Sequence, residues 1–126
     1  MNAKQAVTSL ATGTLTLNSV NLATAAAQYD IPDGACDAAA DVGNWVTVVI
    51  EDDSTVISID SADASNVIYV PGLDLDAGDE LDSVSTAAHE GQHITLTCLA
   101  AEGWYATSMS YISTTGVIAW ADGGAT

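Results

Sequence analysis

Apolar and polar residues alternate with period two along most of this chain. That is the signature of strands with one buried face and one exposed face. Ile94, Leu96 and Cys98 interleave with His93, Thr95 and Thr97, and Thr14 to Leu17 alternates in the same way. Trp45 to Ile50 is apolar on both faces, which predicts a central strand. Glu51 to Ser54 reads as a tight turn, so Thr55 to Asp60 is expected to return as the hairpin partner of Trp45–Ile50. Asn66 to Val70, ended by Pro71-Gly72, Trp104 to Tyr111 and Val117 to Trp120 complete the set. The pattern predicts an all-β domain, a sandwich or barrel of about eight short strands at roughly 8–12-residue spacing.

Between these runs the sequence is less regular. The Ala/Thr/Ser-rich start suggests a flexible arm over residues 1–13, with the sandwich or barrel domain over 14–126. Leu22 to Tyr29 is alanine-rich and reads as a short helix or a loop. Asp30-Ile31-Pro32-Asp33-Gly34 is a turn cluster, and Asp74 to Asp82 an acidic loop. The start, Met1 to Val7, carries no continuous apolar run of the kind a signal peptide needs, so export by the general route is not expected. Cys36 and Cys98 are too few to define a disulfide framework. Cys98 falls on an apolar strand face, which suits a buried thiol, and a single Cys36–Cys98 bridge is the alternative.

Charge changes the picture more than length does. The 126 residues carry 17 acids against one base, Lys4, for a formal charge of -16, and no arginine. Nucleic acid phosphates and anionic membrane surfaces are excluded as partners, because that affinity comes from Lys and Arg. The fold has to rest on apolar packing and backbone hydrogen bonds. Self-repulsion at this charge is relieved by salt, which suits a protein that works in salty water.

Two segments invite metal chemistry. His89-Glu90-Gly91-Gln92-His93 spells H-E-x-x-H, in which two histidines one helical turn apart bind zinc and the glutamate polarises a bound water. The motif works only on a helix. Gly91 costs a helix about 1 kcal/mol relative to alanine, and the strand pattern begins at once beyond it. The extended motif would place a third histidine at Leu99, and none exists beyond His93. His89 and His93 therefore read as a turn residue and an outward strand residue. Asp74, Asp76 and Asp79 offer oxygens for calcium, but the order of aspartates and glycine is not that of an EF-hand, and a solvated loop is the plainer account. No nucleophile motif or phosphate loop is present, so the expectation is a protein that is not an enzyme, with no cofactor.

The run Leu75-x-Ala77-Gly78-x-x-Leu81, then Gly91-Gln92-x-Ile94-Thr95-Leu96 and Gly103-Trp104-Tyr105-Ala106-Thr107-Ser108, resembles small structural proteins of tailed bacteriophages, above all capsid decoration (cement) proteins and some fibre modules. The resemblance covers about residues 45–120. It implies a virion protein on the capsid exterior, assembled in the host cytoplasm, that bridges major capsid subunits. It also implies contacts with copies of itself, a trimer by analogy. A tail or fibre module, or another self-assembling surface subunit, is the alternative, and a zinc hydrolase using His89, Glu90 and His93 the second.

Overall fold

The computed structural model describes residues 5–51, 56–83, 91–110 and 120–125. The strands are β1 (Val7–Leu10), β2 (Gly13–Thr14), β3 (Ser19–Ala23), β4 (Gln28–Ile31), β5 (Trp45–Ile50), β6 (Ser58–Ser61), β7 (Val67–Tyr69), β8 (Asp79–Ser83), β9 (His93–Ala100), β10 (Gly103–Met109) and β11 (Trp120–Ala125). They form two sheets. Sheet A has the order β1-β3-β5-β9-β10-β7, and sheet B the order β11-β8-β6-β4-β2. The protein is an all-β sandwich with open edges, not a closed barrel. Its one piece of helix among the described residues is a 3₁₀ turn, Ala39–Asp41.

The chain alternates between sheets at every step from β1 to β9. As far as β6, strands two apart in sequence run the same way. β1, β3 and β5 form a parallel ladder in sheet A, and β2, β4 and β6 one in sheet B. Parallel neighbours need a crossover between them, and here the crossover is a strand of the opposite sheet. β8 then joins β6, and β9 joins β5, in antiparallel sense. Among the described residues, β9 and β10 are the consecutive strands that pair as a hairpin.

Both sheets contribute to one core. Val46, Val48, Ile50, Ile94, Leu96 and Trp104 point inward from sheet A, and Tyr29, Ile31, Ile59, Leu81 and Trp120 from sheet B. Tyr29 is fully buried. Its hydroxyl donates toward the carbonyls of Ala25 (2.8 Å) and Leu10 (3.1 Å) and accepts from the Ala25 amide, so it ties together two of the connections that cross between the sheets. Cys36, in the loop after β4, is bonded to Cys98 on the inward face of β9, with Cα atoms 5.7 Å apart and neither residue exposed. The pairing is an ordinary disulfide span.

Four expectations need correction. Trp45–Ile50 and its expected hairpin partner do not pair, because β5 and β6 lie in different sheets. The turn expected over Glu51–Ser54 lies, beyond Glu51, outside the described residues. The residues read as an arm are tied in over much of their described length, with Val7–Leu10 paired to β3 and Gly13–Thr14 to β4. The alanine-rich segment is neither helix nor loop throughout, since it ends β3 and begins β4. Much of the acidic loop is β8, whose Leu81 and Ser83 face inward while Asp79, Glu80 and Asp82 flank them.

Candidate functional site

β3 is built inside out. Its polar Ser19 and Asn21 are buried, while Val20 and Leu22 point away from the core. Asn21 is satisfied where it sits. Its Oδ1 accepts from the Thr16 amide at 2.8 Å, and its Nδ2 donates to the carbonyls of Thr16 (3.1 Å) and Ser19 (3.2 Å). A buried amide costs little when every group is paired in this way. The consequence is that two aliphatic side chains are delivered to the outside of sheet A.

Register extends that outer face across the sheet. Val7, Val20, Thr47, Thr95 and Ser108 form one row through β1, β3, β5, β9 and β10. Ser9, Leu22, Val49 and His93 form the next. Trp45, Thr97, Tyr105 and Tyr69 form a third, aromatic-rich row that ends on the edge strand β7. Threonine hydroxyls link neighbouring strands, at 2.7 Å for Thr47 and Thr95 and 2.9 Å for Thr97 and Thr107. Tyr69 and Tyr105 stack with ring centroids 4.5 Å apart.

No aspartate or glutamate lies in any of the six strands of sheet A. Sheet B is the opposite, carrying Asp30, Asp60, Asp79, Glu80, Asp82 and Asp122 in its strands. Asp30 and Asp60 are direct cross-strand neighbours. Like charges placed so are unfavourable. Glu80 shows the strain, its carboxyl held above the usual range by partial burial and by the neighbouring Asp82 and Asp60 charges. In a chain of charge -16, the outward side of sheet B carries Asp30, Asp60, Glu80 and Asp82, and that of sheet A carries no acid.

The metal candidates fall differently. His93 opens β9 opposite Val49, and Gly91 has φ 84°, in the left-handed region, so positions 91–93 are not helical. The face that the zinc motif requires is not formed there; His89 and Glu90 lie outside the described residues. His93 instead joins the outer face, its amide donating to Ser110 Oγ at 3.0 Å. Asp79 Oδ2 accepts from the Asp76 amide at 2.8 Å, which fixes the turn into β8, and Asp74 lies on the rim of a pocket beside β7. Among the described residues, the three carboxylates that do converge belong to Asp33, Asp37 and Asp63, with ligand atoms within 4.8 Å of one another. Asp63 is held low by the Ser65 hydroxyl and amide. Its hydrogen bond to Asp37 raises the latter's carboxyl to about 6.

Sequence reading missed the outer face, because its rows form only when register sets residues of different strands side by side. The linear placement of acids held the clue. None precedes Asp30, and none lies between Asp41 and Glu51 or between Glu102 and Asp122. Those acid-free stretches hold most of sheet A.

No family model matches the chain, and neither a curated protein nor a solved structure matches it.

Proposed function

We propose that this chain is a structural assembly protein, a capsid decoration protein that docks through the uncharged outer face of sheet A onto major capsid subunits. The acidic face of sheet B then looks outward. The observation that carries this reading is the partition of charge between the two sheets. A face bearing Trp45, Tyr69 and Tyr105 and no acid has the composition of an interface centre, where aromatics are enriched and charges depleted. It needs no catalytic residue.

Size supports many copies acting together. Six strands about 4.8 Å apart and about five residues long at 3.3 Å each give a face on the order of 500 Å². Contact over that area buries about 1,000 Å² in total, at the lower limit for a specific interface. A single copy would bind weakly, and copies joined around a symmetry axis of the shell would hold firmly. The buried disulfide suits a protein that works outside the reducing cytosol, as a virion exterior does.

Quantitative mass spectrometry and immunogold labelling of particles that contain the chain test the reading. Hundreds of copies per particle on the head exterior are expected. A handful of copies would place it in a tail or fibre, and absence from particles would overturn the proposal.

A further inference from the structure

We infer that the pocket beside the edge strand β7 receives an arginine side chain from the partner protein; this deepens the docking reading above and rests on it. The pocket encloses about 320 Å³, with Tyr69, Tyr105, Pro71, Leu73 and Leu75 as its apolar walls and Asp74 as the charged residue on its rim. That volume is at the small end for ligand sites, room for one side chain more than for a cofactor.

The pocket is preformed. Val70 and Leu75 are buried and anchor both ends of its rim, and the Leu73 amide donates to the Val70 carbonyl at 3.0 Å to close the turn between them. The tyrosine stack rests on Gly103. A Cβ at that position would meet Tyr105 Cε1 at 2.9 Å and Tyr69 Cε2 at 3.3 Å, so the glycine lets the rings lie against the strand. Tyr69 remains 45 % exposed at the end of the aromatic row.

Charge selects the occupant. Aromatic faces beside a carboxylate suit a guanidinium, which stacks on a ring and gives paired hydrogen bonds to the acid. The chain has no arginine, so the group must come from another protein. The field of the -16 chain favours the approach of a cation. The uncharged face beside the pocket would let that partner come close without burying acids.

The test uses acetyl-arginine-N-methylamide as probe, titrated into the whole protein in physiological salt while the Tyr69 and Tyr105 ring signals are followed by NMR. Acetyl-citrulline-N-methylamide and acetyl-leucine-N-methylamide serve as uncharged comparisons. Saturable shifts with the arginine probe are expected, at least tenfold weaker with citrulline. They should weaken about tenfold in Asp74→Asn and stay unchanged in Asp122→Asn, which lies on the opposite sheet. No saturable shift, equal binding of citrulline or leucine, or an unaffected Asp74→Asn would overturn the inference. Outer-face variants such as Val20→Asp leave the pocket residues intact, so failure here and failure of the docking reading are separable.

Discussion

Asn21 Oδ1 accepts a hydrogen bond from the Thr16 amide at 2.8 Å, and its Nδ2 returns one to the Thr16 carbonyl at 3.1 Å. The pair closes the turn between β2 and β3 and holds β3 with its polar residues inward. Asn21→Ala would remove the partner of the part-buried Thr16 amide and carbonyl and of the buried Ser19 carbonyl, at about 1–3 kcal/mol for a group left buried and unsatisfied. A loss of about 3 kcal/mol is expected in urea unfolding. A loss below about 0.5 kcal/mol would show that the amide does not organise the strand.

The Cys36–Cys98 bond closes a long loop, with a sequence separation of 62. Chain-entropy arguments give such a cross-link about 4 kcal/mol of stability. The Cys36→Ser, Cys98→Ser double variant should therefore unfold at markedly lower urea concentration. Because neither sulfur is exposed, reductant should not touch the native protein and should act only as it unfolds. Rapid reduction under native conditions, read as a mass gain after thiol alkylation, would contradict the buried placement.

Acid should stabilise this protein before it harms it. Asp37 titrates near 6 in the fold against an ordinary 3.8, chiefly because it donates to Asp63. The folded state keeps a proton that the unfolded chain has lost, so stability rises as pH falls from about 7 through 6 toward 4. Glu80 shifts in the same direction. Asp63 is lowered and works the other way, its contribution being lost only as pH falls below the ordinary aspartate value. The urea midpoint should be higher at pH 5 than at pH 7. In Asp37→Asn the difference should shrink, since the amide donates to Asp63 at every pH. A midpoint that falls steadily between pH 7 and pH 5 would refute this.

The strands that sequence reading recovered are those whose core-facing positions are all apolar, as Val46, Val48 and Ile50 in β5 and Ile94, Leu96 and Cys98 in β9. β3 was hidden because polar Ser19 and Asn21 occupy its core-facing positions, and the pairing of Asn21 comes from Thr16, which no periodicity reports. β8 was hidden because three of its five residues are acids, which read as solvated loop. The false hairpin at 45–60 had a different cause. Local pattern marks where one strand ends and the next begins, but which sheet the next strand joins depends on the core between them. The outer face needed register, since Val20, Thr47 and Thr95 become neighbours only across three strands.

The central claim is that sheet A docks and sheet B does not. The most direct measurement is co-sedimentation of purified variants with capsid shells that lack the protein. Val20→Asp with Thr95→Asp puts charge on the uncharged face. Gln28→Asp with Ser58→Asp adds the same charge to sheet B. Both pairs are outward positions in strands, but Gln28 and Ser58 face each other across β4 and β6, so circular dichroism and urea unfolding must show both proteins folded before binding is compared. The account predicts at least a tenfold loss of shell binding for the first pair and less than a twofold change for the second. Equal binding by the two, or a greater loss for the sheet B pair, would contradict it.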